Sequence, residues 1–283
     1  MTAKILDGWK LSQSILAGLP SSQKAKLAVV QVGDNPVSAK YIKEKGKAAK
    51  GLGFGFQLYK FPETIKASVL HSALIKIAKD AKNTGLLIQL PLPSHLPLQK
   101  ILDRIPLQKD VDALSSKALG LFSQGALPFL PPTVHAVSLL LKEAKVQLKG
   151  ARFLVIGAGR LVGLPVSLWL LREGATLTIA NKATKNLSSL TKQADVIISG
   201  VGKHGLVKGS MVKKGAVVID AGTSVESGPS TRSARSGRQA KLVGDVDFKS
   251  VSRKAGYLSP VPGGVGPLTV ACLFQNLVFL AKH

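Results

Sequence analysis

Tyr41 and Lys45 are of residue types, and stand at a spacing, that suit proton chemistry. They are four residues apart, so a helix over this segment places both side chains on one face. Lys40, Lys43 and Lys47 surround Lys45, and this positive neighbourhood with partial burial would lower the lysine pKa toward a value useful for proton transfer. A surface lysine beside a half-buried tyrosine is the alternative that fits the same spacing.

A second group of residues has the pattern of a phosphate-binding turn. Gly157, Ala158, Gly159 and Gly163 follow the apolar run Arg152–Ile156 and precede a segment of helical period. Glycines there permit a tight turn and let backbone N–H groups approach a pyrophosphate at a helix N-terminus. The pattern predicts a nicotinamide dinucleotide site, and an ordinary strand-to-helix turn is the alternative.

The end of the next predicted strand bears on the choice of cofactor. It carries Asn181 and Lys182, with Lys185 close by, where NAD sites usually present a carboxylate to the ribose 2′-hydroxyl. Without a carboxylate to repel a 2′-phosphate, and with two lysines to attract one, NADP is favoured and NAD is the alternative. The same lysines would also suit a solvated loop.

Three further segments fall at predicted strand or loop ends, where ligands of α/β proteins bind. They are Gln89–Pro93, Lys109–Asp112 and Ser259–Pro267. Together with Gly33–Pro36, Ser38, Tyr41, Lys45, Val243–Val246 and the stretch Pro260–Thr269, they run in one order along essentially the whole chain. In these motifs the chain resembles the bifunctional methylenetetrahydrofolate dehydrogenase/methenyltetrahydrofolate cyclohydrolase family.

The resemblance implies a two-domain α/β fold with a cleft between an N-terminal folate-binding domain and a Rossmann-type NAD(P)-binding domain. It implies oxidation of 5,10-methylenetetrahydrofolate with NADP and hydrolysis of the methenyl product to 10-formyltetrahydrofolate. Such an enzyme belongs to one-carbon metabolism and purine biosynthesis, as a cytoplasmic homodimer. An enzyme with one activity, either an NAD-linked dehydrogenase or a cyclohydrolase, is the alternative, and a basic RNA-binding protein is the third hypothesis.

The resemblance also assigns roles to residues. It implies that Lys45 is the catalytic lysine and that Tyr41 is its partner at the substrate. It also implies that Gln89 modulates the properties of this lysine, and that Asp112 rather than Asp110 binds the pterin ring. The implied substrate-binding residues are Tyr41, Gln89, Pro91, Asp112, Pro262, Gly263 and Gly264. The implied cofactor-binding residues are Gly157, Ala158, Gly159, Arg160, Gly163, Asn181, Lys182, Thr223 and Gly264. No metal site is expected.

The cofactor half departs from the family pattern more than the folate half. Ala158-Gly159 replace the usual Arg-Ser, and Ala180–Thr184 replace Cys-His-Ser-Lys-Thr. Pro131–Val134 replace Pro-Cys-Thr-Pro, and Ala113 replaces a glycine. Arg160 and Lys182 are candidates to substitute for the missing phosphate-binding arginine.

Short apolar runs alternate with segments of helical period, which predicts an α/β fold with mainly parallel strands. Predicted strands are Leu27–Val32, Phe54–Phe61, Gly85–Gln89, Arg152–Ile156, Thr176–Ile179, Val196–Ser199 and Ala216–Asp220. Predicted helices are Ser38–Leu52, Thr64–Lys79, Thr133–Ala144, Leu161–Arg172 and Pro267–Ala281. We expect a folate-binding domain over 1–130, completed by the last helix over 267–283, and a cofactor domain over 131–266. Val225–Gln239 is expected to be an exposed loop.

Composition limits the remaining possibilities. The 283 residues are 45% hydrophobic and 19% charged, which excludes a disordered chain. The single cysteine, Cys272, excludes an internal disulfide. A net charge of +24 is spread over nearly every segment with only 5% aromatic residues, so specific nucleic-acid binding is not expected. Met1–Lys10 lacks the apolar run of a secretory signal, and no apolar run approaches a membrane span.

Overall fold

The computed structural model describes residues 2–20, 25–226 and 241–282. The strands are β1 (Lys4–Ile5), β2 (Lys26–Val32), β3 (Gly55–Phe61), β4 (Gly85–Ile88), β5 (Arg152–Ile156), β6 (Thr176–Ala180), β7 (Val196–Ser199), β8 (Val217–Asp220), β9 (Ser224–Glu226), β10 (Lys241–Val243) and β11 (Tyr257–Leu258). The helices are α1 (Gly8–Ala17), α2 (Pro36–Gly51), α3 (Ala67–Lys79), α4 (Leu98–Leu102), α5 (Ser116–Ser123), α6 (Pro132–Glu143), α7 (Gly163–Arg172), α8 (Leu187–Gln193), α9 (Phe248–Val251) and α10 (Val265–Lys282).

One compact unit comprises Ser12–His135 and Thr269–His283 and contains a three-stranded parallel sheet. The strand order is β3-β2-β4. Successive residues of β2 alternate between two hydrophobic clusters, one formed with α3 and α4 and the other with α2 and α10. Helices therefore cover both faces of this sheet, the arrangement expected of parallel strands joined by helical crossovers.

The second compact unit comprises Met1–Leu11 and Ala136–Leu268. Its six-stranded sheet has the order β1-β11-β8-β7-β5-β6, and every pair is parallel. The inner strands β7 and β8 are buried along their whole length, which explains their continuous apolar sequences. β9 and β10 pair antiparallel beside this sheet.

The predicted α/β class with parallel strands is confirmed, and every predicted strand and helix is present with ends shifted by at most three residues. The largest shift is at α3, which begins at Ala67 rather than Thr64. Val225 and Glu226 were expected in a loop but pair with Leu242 and Lys241 in the β9–β10 ladder. The rest of that predicted loop, Ser227–Gln239, lies outside the described residues.

Several short elements were not predicted: β1, β11, α1, α4, α5, α8 and α9. The first two are only two residues long and cannot display an alternating pattern. Their pairing, Lys4 with Tyr257 and Ile5 with Leu258, explains why residues 1–11 belong to the second unit. The expected domain over 1–130 differs from the observed units at this point.

Among the described residues, one helix is long and apolar enough to cross a bilayer, and it is α10. The sequence analysis missed this feature because polar side chains such as Asn276 interrupt the apolar run. More than half of the helix is buried, and Leu273, Phe274 and Leu277 lie fully inside the hydrophobic cluster that it shares with α2. This packing is that of a core helix.

Candidate active site

Lys45 is buried because it lies on the apolar face of α2. The helix begins after Asn35, whose Oδ1 accepts hydrogen bonds from the backbone N–H groups of Val37 and Ser38, both at 3.0 Å. The buried residues of this helix are Ser38, Ile42, Lys45 and Ala49. Their spacing of three or four residues defines one face of a helix, so the lysine is carried into the interior and only 7% of it is exposed.

Gln89, which follows β4, accepts a hydrogen bond from the amine of Lys45, with 2.8 Å between Nζ and Oε1. The amide nitrogen of Gln89 donates to the carbonyl oxygen of Leu90 at 2.9 Å. Ser38 Oγ donates to the same carbonyl oxygen at 3.1 Å. Because its nitrogen is engaged on the backbone, the amide presents its oxygen to the lysine and adds no charge.

Asp112 is near enough to Lys45 for the two charges to interact. Burial lowers the pKa of Lys45 below its ordinary value of 10.5, and the charge of Asp112 raises it in part. Burial also raises the pKa of Asp112, while the lysine charge opposes that rise. The neighbouring lysines, Lys40, Lys43 and Lys47, were expected to help lower this pKa, but they are exposed and are not among its causes. Burial is the main cause of the lowered pKa. The geometry favours an amine that gains and loses a proton readily.

Asp110 has a structural position that distinguishes it from Asp112. It is fully buried, and its carboxylate accepts hydrogen bonds from the backbone N–H groups of Ser115 at 2.9 Å and Leu114 at 3.3 Å. Its backbone forms a parallel bridge with Leu86 of β4. Through these contacts Asp110 stabilises the turn before α5. Asp112 is therefore the aspartate that interacts with Lys45.

Tyr41 and Pro91 complete the predicted folate residues of this unit. Tyr41 lies one helical turn before Lys45 on α2 and is partly buried. Pro91 is exposed and follows a cis peptide bond from Leu90, the residue whose carbonyl oxygen binds Ser38 and Gln89. The segment after β4 thus connects the lysine to an exposed proline at the carboxyl end of the sheet.

The other predicted substrate residues, Pro262, Gly263 and Gly264, belong to the second unit. The peptide bond before Pro262 is cis. Gly263 has a φ of +115°, and a β-carbon there would lie 3.2 Å from the ring of Trp9. Gly8 donates its N–H to Gly263 O at 2.8 Å, and a β-carbon on Gly8 would overlap Gly264 O. The sequence analysis did not identify this contact, which requires glycine at position 8.

The predicted cofactor turn has the geometry of a phosphate-binding loop. Gly157 has a φ of +95°, and a β-carbon at position 163 would overlap its carbonyl oxygen. Ala158 and Gly159 are exposed at the turn, and Arg160 is partly buried. Within the described residues no side chain caps the N-terminus of α7, so its first N–H groups are suited to an anion. These residues fit the pyrophosphate of a dinucleotide.

The segment after β6 is exposed and basic. Asn181 Oδ1 accepts from the N–H of Ala183 at 2.9 Å, and Thr184 Oγ1 accepts from the N–H of Asn181 at 2.9 Å. Lys182 and Lys185 are exposed beside this turn. Thr223, the remaining predicted cofactor residue, is exposed after β8. An anion bound at this turn would have two cationic neighbours, Lys182 and Lys185, and the segment from Asn181 to Lys185 contains no carboxylate.

Two buried carboxylates that the sequence analysis gave no role, Asp220 and Asp245, support the ends of β7 and β8. Asp245 accepts hydrogen bonds of 2.7 Å from Ser199 Oγ and from the backbone N–H groups of Val201 and Lys203. Asp220 accepts from the backbone N–H groups of Gly222, Asp245 and Val246 at 2.9 to 3.1 Å. Burial raises the pKa of Asp220 to about 6. The pair fixes the loops at this end of the sheet.

The fold and these residues define a class: an α/β protein with a Rossmann-type unit and a second unit that holds a buried lysine hydrogen-bonded to a glutamine. Residues 4–112 match the family model of the tetrahydrofolate dehydrogenase/cyclohydrolase catalytic domain. Residues 131–283 match the model of the NAD(P)-binding domain of the same family. The chain belongs to this family, which confirms the resemblance drawn from its motifs.

Individual relatives agree with this assignment. The chain is 40% identical over 291 residues to the bifunctional protein FolD of Moorella thermoacetica, covering 100% of both proteins. It is similar to the crystal structure of the bifunctional dehydrogenase/cyclohydrolase FolD from Campylobacter jejuni, with a TM-score of 0.89, 38% identity and 99% coverage of each chain. The FolD structure from Trypanosoma brucei, complexed with NADP and an inhibitor, has a TM-score of 0.92 and 31% identity, covering 100% of this chain and 98% of that one. The predicted two-domain α/β fold and bifunctional enzyme class are confirmed.

Proposed function

We propose that this protein oxidises 5,10-methylenetetrahydrofolate with NADP and hydrolyses the methenyl product to 10-formyltetrahydrofolate. The observation that carries the proposal is the buried amine of Lys45, held 2.8 Å from Gln89 Oε1 and within the field of Asp112. A buried lysine whose pKa is lowered, and which forms no salt bridge among the residues that the structure describes, suits a group that must take up and release a proton.

The hydrolytic step explains the arrangement. Water adds to the methenyl carbon of the cationic substrate, and the neutral amine of Lys45 takes one proton from that water. The carbon–nitrogen bond to N5 then breaks, and the lysine returns the proton to this leaving nitrogen. The second proton of the water leaves the hydroxyl oxygen for solvent as the formyl carbonyl forms. Gln89 accepts a hydrogen bond from the amine in either protonation state, so it orients Lys45 without fixing its charge.

Substrate recognition follows from the same residues. The carboxylate of Asp112 suits paired N–H donors on the edge of a pterin ring. Tyr41 on α2 and Pro91 after β4 provide flat apolar contacts. Membership of the family suggests Pro262, Gly263 and Gly264 as further folate-binding residues. These assignments are proposed from residue chemistry and from membership of the family.

We propose NADP as the cofactor, with the turn at Gly157, Gly159 and Gly163 on its pyrophosphate and Lys182 near its 2′-phosphate. When bound, NADP accepts the hydride that leaves the bridging carbon of the folate. Arg160 and Asn181 are the further candidates for polar contacts with it. The absence of a carboxylate from Asn181 to Lys185 favours NADP over NAD.

We also propose a cytoplasmic homodimer whose product supplies formyl groups for purine biosynthesis. β6 is an edge strand, and it and the neighbouring α7 segment expose large apolar side chains. These are Leu161, Leu164, Leu171 and Ile179. An edge strand with an apolar surface is suited to pairing with a second copy. Sedimentation of Ile179→Lys as a monomer would support this interface, and an unchanged dimer would contradict it.

Steady-state assays test the enzymatic proposal. Wild-type protein should reduce NADP⁺ with methylenetetrahydrofolate more efficiently than NAD⁺, and it should hydrolyse methenyltetrahydrofolate with no cofactor added. Lys45→Met should lower hydrolysis by about 10²–10⁴-fold, the usual contribution of general acid–base catalysis. Lys47→Met, on the exposed face of α2, is the matched control and should keep both activities.

Other outcomes would select the alternatives. Reduction of NAD⁺ only, or hydrolysis without reduction of either cofactor, would identify an enzyme with one activity. Undiminished hydrolysis by Lys45→Met would remove the lysine from the mechanism. Sequence-tolerant RNA binding at physiological salt, together with no folate turnover, would favour the RNA-binding hypothesis.

A further inference from the structure

Asn276 is a polar residue in the most apolar part of α10. Only 2% of it is exposed, and its neighbours Leu273, Phe274 and Leu277 are completely buried. An amide in such surroundings is costly unless its hydrogen-bonding groups are satisfied. A helix needs no amide here for its own stability, so the interactions of this side chain explain its presence.

Both donors of the Asn276 amide reach backbone carbonyls of distant segments. Nδ2 donates to Val111 O at 3.1 Å and to Leu130 O at 3.0 Å. An amide nitrogen has two hydrogens, and these two bonds use both. Asn276 therefore ties α10 to the segment that carries Asp112 and to the segment that leads into α6.

The first of these carbonyls belongs to the residue immediately before Asp112. Val111 is fully buried between β4 and α10, and Gly85 allows this approach, since a β-carbon there would overlap Val111 Cγ1. On the other side of Asp112, the carboxylate of Asp110 binds the N–H groups of Leu114 and Ser115. The backbone of Asp112 is thus held by Asn276 before it and by Asp110 after it.

We propose that Asn276 is a positioning residue that sets the direction of the Asp112 carboxylate toward the pterin and toward Lys45. The inference rests on the proposed function, in which Asp112 binds the folate. Asn276 itself contacts backbone carbonyls and acts through the peptide that joins Val111 to Asp112. Its removal leaves a buried carbonyl oxygen unpaired at this peptide, which favours a shift of the adjoining aspartate.

The test compares Asn276→Leu with Val270→Ala, both measured well below their unfolding temperatures. Val270 is buried in the same helix, so its truncation lowers stability while both carbonyls keep their bonds. Asn276→Leu should raise KM for the folate about tenfold, as expected when one charge-assisted hydrogen bond is misdirected. KM for NADP should stay at the wild-type value, and Val270→Ala should change neither constant.

The pH profile supplies a second readout that a purely structural role would not change. The charge of Asp112 raises the pKa of Lys45, so displacement of the aspartate should move the lysine-dependent limb of hydrolysis to lower pH. Asp112→Asn should move it in the same direction. In the double variant Asn276→Leu/Asp112→Asn the two effects should not add, because both act through one carboxylate.

The outcomes separate this inference from the proposed function. If wild-type protein lacks folate turnover, or if Asp112→Asn leaves KM for the folate unchanged, the proposed function or the role of Asp112 is wrong. If Asp112→Asn raises that KM while Asn276→Leu matches Val270→Ala, Asn276 is a structural residue only. Should Asn276→Leu not fold, Asn276→Ser, whose hydroxyl can donate to one carbonyl, is expected to give a smaller increase in the same KM.

Discussion

At the scale of single residues, burial and one hydrogen bond decide what Lys45 can do. The residue is placed inside by helical spacing, and the same burial that lowers its pKa excludes the water that would keep it charged. Gln89 provides a neutral acceptor, and Asp112 limits how far the pKa falls. A lysine balanced in this way can change protonation state during a reaction.

The pH dependence of hydrolysis follows from this balance. If the neutral amine of Lys45 takes the proton from water, the rate should rise with pH through the lysine pKa, with a midpoint below 10.5. Asp112→Asn removes the charge that raises this pKa, so the midpoint should fall further. Measurement of kcat for methenyltetrahydrofolate hydrolysis against pH checks both shifts.

Lys45→Arg is the companion variant, because a guanidinium remains charged throughout the accessible pH range. Its hydrolysis should be slower by about 10²–10⁴-fold, and its rate should not rise along the lysine-dependent limb. A limb retained in Lys45→Arg would assign the titration to another group.

The residue types and spacing predicted much of this site, and the remainder depends on tertiary contacts. Tyr41, Lys45 and Gln89 were found from motifs, and the structure joins the last two by a direct bond. The lowered pKa of Lys45 and the part that burial plays in it were predicted, whereas the expected part of the neighbouring lysines is not among the causes of the shift. The extent of the burial depends on packing that the local sequence does not reveal. Asn276 was missed because its partners lie 146 and 165 residues away along the chain.

At the scale of elements, the turns that follow parallel strands place the candidate functional residues at the carboxyl ends of those strands. β4 leads directly to Gln89, and β5 leads directly to the glycine turn. These turns were predictable because glycine and proline mark them in the sequence. β1 and β11 were not, because two-residue strands are defined by their partners and carry no pattern of their own.

The turn after β5 permits a prediction with an internal control. A β-carbon at Gly163 would overlap Gly157 O, whereas one at Gly159 would meet nothing within 4 Å. Gly163→Ala should lower the free energy of unfolding by about 1–3 kcal/mol through overpacking and raise KM for NADP. Gly159→Ala should leave that free energy within about 0.5 kcal/mol of wild type. Urea unfolding and dehydrogenase kinetics measure the two effects.

Hydrolysis of methenyltetrahydrofolate shows whether the damage is confined to the turn. Gly163 belongs to the cofactor unit, and Lys45, Gln89 and Asp112 belong to the other. Folded Gly163→Ala should therefore retain hydrolysis while dehydrogenase activity falls. Equal stability of the two alanine variants would contradict the packing explanation of the Gly157–Gly163 contact.

At the scale of the whole molecule, the sequence predicted a two-domain α/β protein because apolar strands alternate with helical segments along nearly its full length. Exact unit bounds were less predictable, since residues 1–11 join the second unit through strand pairing rather than through chain proximity. Stability is a property of the whole folded chain. The pH dependence of that stability is governed by the ionisable groups whose pKa changes on folding.

Asp220 provides the sharpest prediction about that dependence. Its pKa is about 6 in the folded protein, mainly because of burial, against 3.8 when it is exposed. Between these values the folded state binds more protons than the unfolded state, so this group makes the free energy of unfolding decrease as pH rises. At 1.36 kcal/mol for each pH unit, the loss from about pH 4 to pH 6 is about 3 kcal/mol.

Other carboxylates also make the free energy of unfolding depend on pH. The quantity to measure is therefore the difference in free energy of unfolding between wild type and Asp220→Asn. Removal of hydrogen bonds shifts this difference by a constant, and its change between pH 4 and pH 7 reports the Asp220 ionisation. Wild type should lose stability relative to Asp220→Asn across that interval. Asp195→Asn should show a change of opposite sign, and only below about pH 4, because hydrogen bonding to Lys213 lowers the pKa of Asp195 below 3.8 and its contribution is lost as pH falls through that lowered value. A difference for Asp220→Asn that stays flat from pH 4 to pH 7 would mean that Asp220 ionises at its ordinary pKa despite its burial.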